Sequence, residues 1–235
     1  MSPDYVGGEL ELFSRATNWK AYVARQLSPF IRGRVLEVGA GIGSNIVGLM
    51  NRNVTDWLAL EPDRRQAEEI ASGVRNGTLP STCRVLTGTI DEVPPQERFD
   101  AILYIDVLEH IEDDRGEAAK ATRLLAPGGH MIILGPAHQF LYSPFDRAIG
   151  HFRRYNLATL SRLTPPDCRV TAAFMLDSIG FLASLANRLI LRSSMPTRAQ
   201  ITTWDKVIVP LSQLLDPLSR FRFGKSAVIV WQHAP

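Results

Sequence analysis

Apolar and polar positions along this chain fall into blocks whose period changes. Short continuous apolar runs at 34–38, 56–60, 83–87, 99–105 and 129–135 suit strands buried on both faces. Between them, at 43–52, 63–75 and 115–126, apolar residues return every three or four positions, which predicts helices. Strands alternating with helices predict an α/β fold, a mostly parallel sheet covered by helices on both faces. Ahead of the first strand, Leu10, Phe13, Trp19, Val23 and Leu27 keep helical spacing within 8–28, so a helix or helix pair is expected there. Two more strands are expected at 168–176 and 226–234. About fifty residues separate them, with helical patterns at 178–192 and 200–219 broken by Pro196, Pro210 and Pro217. A connection that long is expected to form a cap over the sheet edge before the last strand, not a bare loop. No repeat or low-complexity tract interrupts the pattern.

Right-handed crossovers place the C-terminal ends of parallel strands on one edge. Gly39, Glu61, Thr89 and Asp106 all fall just beyond such ends, where open α/β sheets bind ligands. The run RVLEVGAGIGSN, 34–45, is the most specific of these segments. Gly39, Gly41 and Gly43 allow a sharp turn and close approach of the backbone to a ligand. A dinucleotide fingerprint would place its third glycine at Ser44, and no phosphate lysine follows, so neither a pyrophosphate loop nor a P-loop is indicated. A glycine turn preceded by a carboxylate, Glu37, suits a ligand carrying an ammonium group and no phosphate; S-adenosylmethionine is one.

Four further segments follow in order: DWLALEPD at 56–63, VLTGTIDEVP at 85–94, FDAILYIDVLEHIED at 99–113 and LLAPGGHMIIL at 124–134. With the glycine run, they make the chain resemble the class I S-adenosylmethionine-dependent methyltransferases. Residues 143–156, SPFDRAIGHFRRYN, and 223–232, FGKSAVIVWQ, resemble a bacterial subgroup acting on small molecules. The resemblance implies a Rossmann-like seven-stranded sheet whose last two strands form an antiparallel pair at its edge. It also implies S-adenosylmethionine as cofactor and S-adenosylhomocysteine as product. The cofactor contacts implied are Glu37, Gly39, Ala40, Gly41, Gly43 and Asn45 at the turn, Glu61 and Pro62 after the second strand, and Thr89 and Ile90 beside the adenine. Asp106, Val107 and His110 complete that set. Glu61 is expected to accept from both ribose hydroxyls, Glu37 to serve the methionyl ammonium, and Asp63 to cap the next helix.

The acceptor half is less determined. His151 is a candidate base and Arg154 a candidate clamp for an acidic or phenolic acceptor. Arg153 is an alternative clamp. Trp19, Phe145 and Tyr155 are candidate pocket residues, and His138 a weaker base candidate. A structural alternative has the arginines bridging the cap to the sheet and His151 capping a helix. Asp106, Glu109 and His110 have the chemistry of a divalent-ion site, but no second carboxylate-rich cluster completes a shell, so no metal is expected.

The 235 residues, 45% hydrophobic, suffice for a full core and are expected to form one domain. Its parts would be an N-terminal helical segment 1–30, a cofactor core 31–135, acceptor-site and cap elements 136–225, and a last strand 226–235. A net charge of +2 with 21% charged residues offers no broad basic field for nucleic acid. The acidic start MSPDYVGGELELF lacks the layout of a secretion signal, and 178–191 is too short to span a bilayer. Cys83 and Cys168 lack metal or redox spacing. A cytoplasmic monomer or homodimer acting on a small molecule is therefore expected. The competing readings are a nicotinamide-dependent oxidoreductase on the same sheet and a non-catalytic cofactor-binding accessory protein.

Overall fold

The structure is a computed structural model and describes residues 13, 15–186 and 197–234. Its seven strands are β1 (Gly33–Val38), β2 (Val54–Glu61), β3 (Cys83–Thr87), β4 (Phe99–Ile105), β5 (Leu125–Pro136), β6 (Cys168–Leu176) and β7 (Ser226–His233). They form one sheet in the order β3-β2-β1-β4-β5-β7-β6. All pairings from β3 to β5 are parallel, and β7 runs antiparallel between β5 and β6.

Side-chain alternation on nearly continuous apolar strands gives the sheet a core on each face. On one face Leu36, Leu58, Ile102, Met131 and Ile229 pack with Ala118, Ala121 and Leu160. On the other, Val35, Trp57, Leu103, Ile132 and Val228 pack with Tyr22, Leu27, Ile70 and Val209. The helices are α1 (Thr17–Leu27), α2 (Ile46–Leu49), α3 (Arg64–Asn76), α4 (Asp114–Thr122), α5 (Pro144–Ala148), α6 (Leu157–Ser161), α7 (Ser178–Ala186), α8 (Arg198–Thr203) and α9 (Val209–Leu218), of which α1, α2, α3, α4, α6 and α9 supply the core contacts. Helix α3 has both ends specified locally. Asp63 accepts from the Arg65 and Gln66 amides at its start, and Gly77 closes it at φ +79°.

The observed elements depart from the expected ones in several places. The helix expected at 115–126 ends at Thr122, and β5 begins at Leu125 and runs through the expected Pro-Gly-Gly turn. The helix expected at 43–52 is reduced to α2, because Asn51 turns back to donate to the Ile31 carbonyl at 3.0 Å and its Oδ1 accepts from Asn53 at 2.8 Å. Pro210 and Pro217 do not break the 200–219 helix. A π turn at Trp204–Ile208 relaxes the backbone just before Pro210, and Pro217 lies in the last turn of α9. Helices α5 and α6 are additions, each one short turn set by a capping box at Ser143 and Asn156. Residues 8–12 of the first expected helix, 187–192 of the cap and Pro196 lie outside the described residues.

The segment between β6 and β7 returns over the end of β6, held by buried aspartates. Asp216 accepts from Tyr22 Oη at 2.7 Å and from the Asp177 and Ser178 amides at 2.8 and 3.0 Å. Asp177 accepts from Ser212 Oγ and Trp204 Nε1, both at 2.7 Å. Asp205 accepts from the Trp19 amide at 2.9 Å. Fully paired buried carboxylates of this kind fix orientation, so the cap segment is registered against both α1 and the sheet.

Candidate active site

Four strand ends build the site. Beyond β1 the chain turns through Gly39, Gly41 and Gly43 at φ +66°, +58° and +75°. A Cβ on Gly39 would stand 2.6 Å from Val107 Cγ2, so the turn passes against the loop after β4 only because that position is glycine. The Gly39 and Ala40 amides donate to the Leu60 carbonyl at 2.8 and 3.1 Å, which fastens the turn to the end of β2.

Glu61, the last residue of β2, is 5% exposed. Its Oε2 accepts from the Gly41 amide at 2.7 Å and its Oε1 from the Asp63 amide at 2.9 Å. Burial pushes its carboxyl above the ordinary value, opposed by those two hydrogen bonds. Pro62 is exposed beside it. Beyond β3, exposed Thr89 caps a short turn through Glu92, and Ile90 is buried beneath. Beyond β4, Asp106 takes φ +53°, a left-handed conformation that strains a non-glycine backbone. Asp106 is exposed, so solvent weakens the upward push that burial exerts on its carboxyl, and His151 and Lys225 pull it down.

Glu37 lies under the glycine turn, 1% exposed. Asn45 Nδ2 donates to its Oε1 at 3.2 Å, and its Oε2 has no hydrogen-bond partner among the described residues. Burial pushes the carboxyl up to about 7, opposed by Asn45, Trp57 and Lys20, with Glu61 adding repulsion. A carboxyl raised from 4.5 to about 7 binds more protons folded than unfolded between those values, so its contribution to stability falls as pH rises through that window. About 3 kcal/mol is at stake. Glu37→Gln is expected to match the wild type near pH 5 and to exceed it in urea-unfolding stability at pH 8; equal stability at both would contradict this.

The second part of the rim comes from 138–155. Asp146, 1% exposed, accepts from the Ser143 amide and Oγ, both at 2.8 Å, and from His151 Nδ1 at 3.1 Å. Arg154 grips it with Nε at 2.8 Å and Nη2 at 3.0 Å. Burial opposes ionisation, but the bonds from His151, Arg154 and Ser143 hold the carboxyl well below its usual range. His151 Nε2 faces Glu109 Oε1 at 3.8 Å, and the His110 ring meets the His151 ring edge to face, centroids 4.4 Å apart. Burial, with His151 adding repulsion, lowers His110 to about 4. Glu109 is 0% exposed and burial pushes its carboxyl far up.

The structure thus gathers Glu37, Gly39, Ala40, Gly41, Gly43, Asn45 and Glu61 at one turn. Thr89, Ile90, Asp106 and Val107 lie on adjoining strand ends. His110 instead joins the His151 cluster. Arg154 is engaged by Asp146, and it also reaches the Ala137 carbonyl at 3.4 Å, a structural bridge. Arg153 binds the Ile111 and Glu112 carbonyls at 2.9 and 2.7 Å and Asp114 at 2.8 Å, which ties it to the start of α4. Tyr155 is 2% exposed, with its hydroxyl on Asp114 at 3.0 Å. Trp19 packs on Trp204 at 5.5 Å, Phe145 is half-buried in α5, and His138, at φ +67°, hydrogen-bonds the Gly224 carbonyl through Nε2 at 2.9 Å and packs on Phe181 at 4.6 Å.

Sequence reasoning missed Lys225, which precedes β7 and therefore opens on the same edge as the glycine turn. Its ammonium lies 5.0 Å from the Trp204 ring centre. Burial lowers its pKa, opposed chiefly by Asp177. A lone lysine ahead of the apolar run SAVIVW was the available signal.

A family model described as a methyltransferase domain matches residues 13–164. A demethylmenaquinone methyltransferase of Tropheryma whipplei is 27% identical over 165 residues, covering 66% of this chain and 62% of its own. A ubiquinone biosynthesis O-methyltransferase of Rhodopseudomonas palustris is 26% identical over 110 residues, covering 47% and 42%. The chain therefore spans less than two thirds of the length of these curated relatives. Among solved structures, coclaurine N-methyltransferase bound to N-methylheliamine and SAH superimposes with a TM-score of 0.62 at 15% identity, covering 92% of this chain and 72% of that one. The fold is Rossmann-like, and with the family model matching well over half of its length, the chain belongs to the methyltransferase-domain family.

Proposed function

We propose that this protein binds S-adenosylmethionine at the turn after β1 and transfers its methyl group to a small-molecule acceptor lying between Asp106 and the cap segment. The observation that carries this reading is the Glu61 carboxylate, buried at the end of β2 and fixed by the Gly41 and Asp63 amides, with oxygen lone pairs remaining for a ribose diol. The orphaned Glu37 Oε2 supports it as well, since a buried carboxylate oxygen without a donor suits a cationic ammonium group. The residues fit the cofactor: Glu37 and Asn45 for the aminoacyl end, Gly39 to Gly43 for close backbone approach, Glu61 for the ribose, Ile90 for the base. When bound, the cofactor supplies a methyl group on a sulfonium that leaves as a neutral thioether.

What the chain adds is position and a charged rim. Holding reactants in line can lower a barrier by roughly 7 to 11 kcal/mol in favourable cases. Trp19 packs on Trp204, and Phe181 on His138, and we assign these rings to the acceptor side together with Asp106, which interacts electrostatically with His151 and Lys225. No helix among the described residues is long and apolar enough to cross a membrane. Demethylmenaquinone, ubiquinone biosynthesis and ajmaline methyltransferases among the similar proteins favour a small-molecule acceptor over a macromolecule. Incubating the protein with methyl-labelled S-adenosylmethionine and fractionated small-molecule extract is expected to label a low-mass, protein-dependent product. Label found only in macromolecules, or reduction of a carbonyl with a nicotinamide cofactor instead, would overturn the reading.

A further inference from the structure

Glu109, His110 and His151 each offer one ligand atom, and these atoms lie within 4.8 Å of one another. We propose that they form a binding site for a first-row divalent cation at the acceptor side of the crevice. The inference deepens the proposed function, because it assigns a chemistry to that side of the same site.

Glu109 is the observation that demands a partner. It is 0% exposed, and neither of its carboxylate oxygens has a hydrogen-bond partner among the described residues. A buried carboxylate without donors is costly unless it is protonated or paired with a cation. The fold makes room for it: a Cβ at Gly135, on β5, would stand 3.2 Å from Glu109 Oε2. The nearest ring nitrogen is His151 Nε2 at 3.8 Å, too far for a hydrogen bond.

Both imidazoles are prepared as ligands. His151 directs Nδ1 to Asp146 Oδ1 at 3.1 Å, so its proton sits there and the Nε2 lone pair faces Glu109. A carboxylate behind a histidine in this way fixes tautomer and orientation and raises ligand basicity. Asp146 is itself held by Arg154 and Ser143, so the whole arrangement is braced. His110 is hydrogen-bonded to the backbone at Ile149, with its Nδ1 facing Gly150. Ligand atoms around one ion at about 2.0 to 2.2 Å stand roughly 3 to 4 Å apart, so side-chain adjustments of under about 1 Å close the set.

Two imidazoles and one carboxylate on one side of an ion leave positions open, a pattern suited to zinc, manganese, iron or cobalt, not to calcium. Asp106, beyond the end of β4 and three residues before Glu109, interacts electrostatically with His151, which links this cluster to the strand ends of the proposed site. A cation there would bind and acidify an acceptor oxygen, and His151 would be its ligand, not a proton acceptor. The sequence reading weighed Asp106, Glu109 and His110 and expected no metal because no second carboxylate-rich cluster completes a shell; the fold instead sets His151, forty-one residues beyond His110, beside Glu109 and His110.

The test is titration of the untagged, metal-stripped protein with Co²⁺ alone, followed by visible d–d absorption and calorimetry. One ion per chain is expected, displaced by Zn²⁺. Glu109→Gln and His110→Gln should each weaken binding at least tenfold while circular dichroism stays native, and His233→Gln should leave it unchanged. Absence of stoichiometric binding by the folded wild type, or binding that survives both ligand substitutions, would overturn the proposal. Because no S-adenosylmethionine is present, this outcome is independent of whether the cofactor reading holds.

Discussion

Asp146→Ala is expected to lower the unfolding free energy by roughly 3 to 5 kcal/mol, the range for removing one partner of a buried charge pair. Five donor groups converge on this carboxylate: the Ser143 amide and hydroxyl, His151 Nδ1, and Arg154 Nε and Nη2. Truncation leaves the Arg154 guanidinium, whose side chain is only 11% exposed, without its counter-charge. It also dissolves the capping box that starts α5. For a chain of this size, 2 to 4 °C per kcal/mol predicts a fall in Tm of about 6 to 20 °C. Asp146→Asn keeps an acceptor for Ser143 but loses the charge and should fall between. A loss below about 1 kcal/mol for the alanine variant would mean that the Ser143, His151 and Arg154 cluster is not cooperative.

Glu61→Ala should reduce affinity for S-adenosylmethionine and S-adenosylhomocysteine by roughly ten- to hundredfold, from about 1.5 to 3 kcal/mol of hydrogen bonding to a charged group. The same carboxylate anchors the Gly41 and Asp63 amides, so the substitution loosens the glycine turn as well as removing ribose contacts. Glu61→Gln separates the two effects. Its amide oxygen can still accept one backbone bond, so its stability should stay nearer the wild type than its affinity does. Calorimetry reads the affinity and thermal unfolding the stability; full affinity in a folded alanine variant would remove Glu61 from the binding role.

The glycine turn and the strand ends beside it were legible in sequence because their determinants are local. Gly39, Gly41 and Gly43 need positive φ, Glu61 closes an apolar strand, and Asp63 caps the next helix; each is a short-range signal that parallel strands then bring to one edge. The alternation of strands and helices and the mostly parallel sense of the sheet followed from the same periodicity, and the antiparallel last pair from the family resemblance; the order β3-β2-β1-β4-β5-β7-β6 came only from the structure. The acceptor half depends on long-range pairing. Nothing near Arg153 in the chain says that it will bind the start of α4 and the Ile111 carbonyl, forty-two residues away. Lys225 meets Trp204 only because the cap segment is pinned by Asp177 and Asp216. Likewise, that Glu109 would be buried without a donor depends on Gly135 from another strand. Helix α2 was overextended for a related reason, since the Asn51 side chain finds its partner at Ile31, twenty residues earlier.

A crystal structure of the protein grown with S-adenosylhomocysteine tests the central claim most directly. The account predicts the ribose hydroxyls on the Glu61 carboxylate, the amino group on the Glu37 side of the Gly39–Gly43 turn and the sulfur facing Asp106. Density for the nucleoside at any other place, or a saturated soak that leaves Glu61 bonded to the Gly41 and Asp63 amides alone, would contradict it.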